Sequence, residues 1–213
     1  MVEAILWDND GVLVDTEGLF YEATRVALAR AGIDFTLELY LEHSMRQGRS
    51  TLELVAAQGW SQQQVDALRD ERNVIYANLL RTECSIFPNV LPVLQALSTR
   101  LRMAVVTSSR REHLEITHER NGLHGFFEFI LAADDYRYFK PHPEPYQVAL
   151  QCLGLRADRC VVVEDSERGL ASALAAGLRC IVVPNRITQS CAFAGATAVV
   201  PDFSAIPDIV ASL

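Results

Sequence analysis

No two cysteines in this sequence are spaced Cys-x-x-Cys, and the five present (Cys84, Cys152, Cys160, Cys180 and Cys191) are scattered and odd in number. That excludes a zinc knuckle and a dithiol redox motif. Cys160 and Cys180 open apolar runs and read as small core residues. Basic residues are also scarce: 19 Lys and Arg stand against 27 Asp and Glu, for a formal charge of −8. The basic clusters are short, Arg110-Arg111 and Arg46 with Arg49. A nucleic-acid surface needs a stripe of Lys and Arg to displace counterions, so no nucleic-acid partner is expected. No apolar run approaches the roughly 20 residues that cross a bilayer, so no membrane partner is expected either. The first apolar run, residues 4–7, stops at Asp8, too short for a signal peptide, and a cytoplasmic location follows as the expectation. Internal repeats and low-complexity segments are missing too.

What remains is an ordinary globular composition, half hydrophobic and 22% charged, in a chain of 213 residues. That length suits one domain or a core carrying a smaller insertion, as a monomer or homodimer. An acidic balance does not forbid an anionic substrate, because a local site can be positive inside a negative envelope.

Short continuous apolar runs recur at 4–7, 103–106, 130–133, 160–163 and 180–183, with a weaker one at 198–200. Continuous rather than alternating runs suit parallel strands covered on both faces. Amphipathic stretches at 89–100, 109–121 and 167–176 accompany them. Ser109 and Glu112 have the spacing of a capping box. The pattern predicts an α/β fold, a doubly wound parallel sheet. Between the first two strands the rhythm breaks. Helices are predicted over 17–31 and 37–42, from Ser50 (with Glu53 in the box position) to before Gly59, and from Ser61 (with Gln64) to about Arg81. Residues 16–83 therefore read as an inserted all-helical domain, with 1–15 and 84–213 as the α/β core. Arg46, Arg49, Arg72 and Asn73 in the insert read as a solvated helix face.

Polar residues fall immediately beyond the strands. Asp8 and Asp10 follow the first strand, Thr107, Ser108 and Ser109 the second, and Glu164 and Asp165 the fourth, while Lys140 lies in the loop after the third. In an open parallel sheet ligands bind at the carboxyl ends of strands, so these groups converge on one crevice. Four carboxylates in one site repel unless a cation sits among them or some are protonated. An all-oxygen donor set favours Mg2+ over zinc, and Mg2+ commonly bridges carboxylate and phosphate oxygens. The hydroxyl of Thr107, the backbone N–H of Ser108 and the ammonium of Lys140 then form a cradle for phosphoryl oxygens. Thr107 and Ser108 also suit helix capping, and Glu164 also suits a purely structural role.

The run Leu6-Trp7-Asp8-Asn9-Asp10-Gly11-Val12-Leu13-Val14-Asp15-Thr16-Glu17 resembles the opening motif of the haloacid dehalogenase superfamily, nearest its phosphatase and β-phosphoglucomutase branch, which carries a helical cap. Val105-Val106-Thr107-Ser108, Lys140-Pro141-His142-Pro143 and Val163-Glu164-Asp165-Ser166 resemble the other three motifs, in order. The resemblance implies that Asp8 is the nucleophile, forming an aspartyl-phosphate, and that Asp10 gives and takes the proton. It also implies a Mg2+ held by the carboxylates of Asp8 and Asp165 and the backbone carbonyl of Asp10, with Glu164 a further ligand or just behind. Dehalogenases of the superfamily lack the second aspartate because a halide needs no proton, so Asp10 points to phosphate. Asn9 departs from the pattern, which has an apolar residue there. Phe20 stands where β-phosphoglucomutases have a cap histidine, which favours hydrolysis over isomerisation. The implied function is Mg2+-dependent hydrolysis of a small phosphorylated metabolite, of sugar phosphate or phosphoglycolate type. A β-phosphoglucomutase-like phosphomutase and, more remotely, a phospho-accepting signalling domain are the alternatives.

Overall fold

The computed structural model describes residues 1–213, apart from the side chains of residues 45 and 46, so the reading of Arg46 falls outside the described side chains. The chain divides into two compact units, residues 1–15 with 85–213, and residues 16–84.

In the larger unit six parallel strands form one sheet in the order β3-β2-β1-β4-β5-β6. They are β1 (Ala4–Trp7), β2 (Arg102–Val106), β3 (Phe129–Leu131), β4 (Cys160–Glu164), β5 (Arg179–Val182) and β6 (Ala198–Val199). β1 pairs with β2 on one side, Ala4 opposite Arg102, and with β4 on the other, Ala4 opposite Cys160. Successive side chains of a strand point to opposite faces. Ala4, Leu6, Ala104, Val106, Cys160 and Val162 accordingly share one core with Tyr146, Ala149 and Leu153 of α7 (Glu144–Leu153) and Leu170 and Ala173 of α8 (Glu167–Ala175). The alternate residues Ile5, Trp7, Met103, Val105, Val161 and Val163 are equally buried. Both faces are therefore dry, which is why the strands are apolar throughout.

α5 (Val90–Ser98) and α6 (Arg111–Asn121) flank β2, and α9 (Ile206–Ser212) closes the chain. α7 and α9 go beyond the helices predicted from sequence. α7 has readable signals all the same: Pro145 in its first turn, the apolar spacing Tyr146, Ala149, Leu150, Leu153, and Gly154 in the left-handed conformation at its end. The Ser109–Glu112 capping box does not form. Arg110 is the N-cap, and the Ser109 N–H instead donates to Thr107 Oγ1 at 3.0 Å.

The helical unit contains α1 (Glu17–Ala29), α2 (Leu37–Tyr40) leading into a π-helical stretch (Leu41–Arg46), α3 (Glu53–Ala56) and α4 (Gln62–Glu83). Ser61 and Gln64 complete the capping box of α4. At α3 only half the box is present: Glu53 accepts from the Ser50 N–H, but Ser50 Oγ accepts from Leu52 N–H. Ala23, Ala27 and Leu28 of α1 are buried, as are Val65, Leu68, Tyr76 and Leu80 of α4. Phe20 meets Tyr76 edge-on at 5.3 Å, and Arg30 pairs with Glu71. The solvated-face reading fails at two positions. Asn73 is buried, and the guanidinium of Arg72 lies 4.9 Å above the Phe20 ring while bonding Asn73 Oδ1. Among the described residues no helix is long and apolar enough to cross a membrane.

Candidate active site

β1 is the strand at which the chain order reverses, running outward through β2 and β3 on one side and β4, β5 and β6 on the other. Such a switch point opens a crevice at the carboxyl ends of the strands. Asp8 lies at its floor. Its N–H extends the ladder by donating to Val163 O at 2.9 Å, which fixes the side chain at the strand tip. The backbone then turns sharply: Asn9 O accepts from Leu13 N–H at 2.8 Å and Val14 N–H at 3.1 Å, and Gly11 adopts φ 77°. A Cβ on Gly11 would sit 2.5 Å from Asp165 Oδ2 and 2.8 Å from Asn185 Nδ2, so this corner needs glycine for space as well as conformation.

Lys140, in the loop after β3, reaches under the site with its ammonium buried. It donates to Asp8 Oδ1 at 2.7 Å, to Glu164 Oε1 at 2.6 Å and to Val106 O at 2.8 Å, and lies 4.8 Å over the Tyr146 ring. Glu164, fully buried, is saturated as an acceptor. Oε1 takes Lys140 and the Tyr146 hydroxyl (2.8 Å), and Oε2 takes the Asp165 N–H and the Ser166 hydroxyl, both at 3.2 Å. Asp165 Oδ2 accepts from Asn185 Nδ2 at 2.7 Å, and the same amide donates to Gly11 O at 3.1 Å. Asp10 turns toward β2, accepting from Thr107 Oγ1 at 3.0 Å and from Asn9 Nδ2 at 3.2 Å.

Asp8, Asp10, Thr107, Lys140, Glu164 and Asp165 are thus gathered at one end of the sheet. Ser108, one residue further, is exposed, while Thr107 is buried. Sequence reasoning missed Tyr146, which belongs to the unread helix, and Asn185. Asn185 stands three residues past β5 and obeys the same rule of polar residues beyond strand ends.

Electrostatics gives the cluster its character. Burial pushes the Asp8 carboxyl well above the usual carboxylate range; Lys140 opposes this, and Glu164 and Asp10 add to it. Burial alone would lower Lys140, but Asp8 and Glu164 outweigh it and hold the ammonium above the ordinary lysine range. Tyr146 is likewise raised, first by burial and then by Glu164. The Lys140 ammonium thus faces two carboxyl groups, Asp8 and Glu164, of the four gathered at the site. Carboxylate oxygens of Asp8, Glu164 and Asp165 lie within 4.8 Å of one another, all three residues buried. A hard oxygen donor set with surplus negative charge fits Mg2+, which would offset the mutual repulsion of the buried carboxylates.

A family model described as haloacid dehalogenase-like hydrolase matches residues 5–183. Protein CbbY of Rhodobacter capsulatus is 30% identical over 96% of this chain and 95% of its own length. A phosphorylated carbohydrates phosphatase of Thermotoga maritima is 31% identical over 83% of this chain and 82% of its own. Among solved structures, CbbY from Rhodobacter sphaeroides in complex with xylulose-(1,5)bisphosphate superposes with a TM-score of 0.81 at 28% identity, covering 94% of each chain. The chain belongs to the haloacid dehalogenase-like hydrolase family, as a phosphatase.

Proposed function

We propose that the protein hydrolyses a small phosphorylated metabolite of sugar-phosphate type, with Asp8 as nucleophile and Asp10 as general acid and base. The observation that supports this best is the buried cluster in which Lys140 clamps Asp8 beside Glu164 and Asp165. The Asp8 carboxylate attacks phosphorus, the ester P–O bond breaks, and the leaving alkoxide takes a proton from Asp10. Asp10, now ionised, accepts a proton from water as that water attacks the aspartyl-phosphate, releasing phosphate and restoring Asp8. The Asp8 and Asp165 carboxylates and the Asp10 backbone carbonyl would hold Mg2+, which would supply charge neutralisation and Lewis acidity for the transfer.

Lys140 adds fixed positive charge beside the attacked phosphorus, and Thr107 and Ser108 flank the phosphoryl group, Ser108 offering its N–H to the phosphoryl oxygens while the one hydroxyl proton of Thr107 is directed at Asp10. Glu164 in this reading stands behind the metal ligands and does not join them. Both of its oxygens are taken by protein donors, and it fixes Lys140 and the Asp165 backbone in place. Residues 1–15 and 84–213 act as the catalytic core and residues 16–83 as a cap that selects the leaving group. The sugar-phosphate class draws on the relatives, one named for phosphorylated carbohydrates and one crystallised with a ketose bisphosphate. The enzyme works in the cytoplasm as a monomer or homodimer.

The test is phosphate release from a panel of sugar phosphates, phosphoglycolate included, with Mg2+ and with EDTA. Free phosphate is expected only with the metal, and Asp8→Asn is expected to fall to background. Turnover by Asp8→Asn equal to wild type, or an isomerised product that keeps its phosphate, would overturn the reading.

A further inference from the structure

Asn9, the residue that breaks the family pattern, is fully buried at the tip of β1 between the two aspartates. Its backbone carbonyl already shapes the turn, so the side chain is not needed for that purpose. The amide instead spans two other groups. Nδ2 donates to Asp10 Oδ2 at 3.2 Å, and Oδ1 lies 2.9 Å from Nε2 of His118 on α6, itself fully buried.

The hydrogen-bond directions follow from chemistry. Asp10 Oδ2 also accepts from the Thr107 hydroxyl, so the amide presents Nδ2 to that carboxylate oxygen and Oδ1 to the histidine. His118 must then donate from Nε2, which leaves Nδ1 as the unprotonated nitrogen of a neutral ring. Among the described residues Nδ1 has no hydrogen-bond partner, as suits a lone pair rather than a buried N–H. Burial, then the neighbouring His124, lower His118 to about 4, so the ring stays neutral at physiological pH. His124 and Phe127 wall the ring at 5.5 and 5.6 Å, which holds its orientation.

We propose that Asn9 and His118 are positioning residues for the proton transfer, the neutral imidazole aligning the Asn9 amide and the amide aligning the Asp10 carboxylate. This rests on the reading of Asp10 as the acid and base. Thr107 grips the same Asp10 oxygen from β2, so the carboxylate is held from two sides. Losing one side frees the carboxylate to rotate away from the leaving oxygen.

The experiment compares Asn9→Leu, His118→Leu, the double variant Asn9→Leu/His118→Leu, His118→Gln and Asp10→Asn on two esters. One is the sugar phosphate that wild type cleaves fastest. The other is p-nitrophenyl phosphate, whose leaving phenolate needs no proton. With Asn9→Leu, sugar-phosphate kcat should fall about 10- to 100-fold with KM within about threefold, the scale of a misplaced catalytic group. The pre-steady-state burst of p-nitrophenolate should stay within about threefold of wild type, because that step needs no acid. The double variant replaces both polar partners by apolar ones, so it should melt near wild type yet stay equally slow on the sugar phosphate. His118→Gln, which keeps an N–H at the Nε2 position, should recover most of the loss seen with His118→Leu. Recovery of sugar-phosphate turnover in the double variant, or equal losses on both esters, overturns the proposal. If Asp10→Asn is inactive on the sugar phosphate while Asn9→Leu matches wild type, only the positioning role falls. If Asp10→Asn itself matches wild type, the acid–base reading falls and the positioning role with it.

Discussion

Replacing Gly169 by alanine sets two physical rules against each other. Gly169 lies inside α8, is buried, and has no unusual φ. Helix propensity alone predicts that alanine there stabilises the protein by about 1 kcal/mol. The structure predicts the opposite. A Cβ on Gly169 would lie 1.8 Å from Glu164 Cδ and 1.9 and 2.0 Å from its oxygens, roughly half of an ordinary carbon–carbon contact. Glu164 has no space to retreat into, because it is fully buried and accepts from Lys140, Tyr146, Asp165 and Ser166. Overpacking costs about 1–3 kcal/mol. Each hydrogen bond to the displaced carboxylate adds about 1.5–3 kcal/mol. With one or two bonds lost and the propensity gain subtracted, Gly169→Ala should destabilise by about 1.5–8 kcal/mol. In a protein of this size that lowers Tm by about 3–30 °C. Urea unfolding followed by circular dichroism measures it. Gly125→Ala serves as the control, since a Cβ there meets nothing within 4 Å. A Gly169→Ala protein as stable as wild type, or more so, would refute the claim that Glu164 is wedged beneath α8.

The other perturbations address charge. Lys140→Met leaves Asp8 and Glu164 as neighbouring buried carboxyls without their ammonium, and should cost about 3–5 kcal/mol in Mg2+-free buffer. A thermal-shift assay should show a larger Mg2+ stabilisation for this variant than for wild type, and no such difference would count against the charge-balance argument. His118 is held near 4 in the folded chain against 6.5 for the free side chain. Between those values the unfolded chain binds a proton that the folded chain refuses, so stability drops as pH falls, by about 1.4 kcal/mol per unit at the steepest. From pH 7 to 5 wild type should therefore lose about 2 kcal/mol more than His118→Gln, measured by urea midpoints at each pH.

Much of the core was readable because its signals are local. The strands at 4–7 and 160–163 differ from the observed ones by a residue at most, since an apolar run that stops at a carboxylate marks both the strand and its end. The run at 130–133 was placed late: β3 spans Phe129–Leu131, and Ala132 and Ala133 already belong to the turn beyond. α7 escaped because three prolines crowd its start, which masks a helix that uses one of them in its first turn. Pairwise relations at long range were not legible at all. That Glu164 faces Gly169 is a matter of five residues, yet that Asn9 meets His118 spans 109, and no periodicity encodes it. The capping reading at Ser109 failed because Thr107 competed for the same N–H, a contest that a spacing rule does not see.

Strand order also bears on how the polypeptide is made. Of the six strands the earliest in sequence is an inner one, and its two neighbours begin near residues 102 and 160. Until the latter has emerged, β1 has one flank without a mate, so the sheet cannot be completed before then. The helical segment between, whose α1 and α4 lie within 70 residues of each other, is free to assemble first. Folding should therefore be sequential and slow, with long-range loop closure setting the pace. Until β4 is made, that growing chain has to shield a bare edge bearing Ile5 and Leu6.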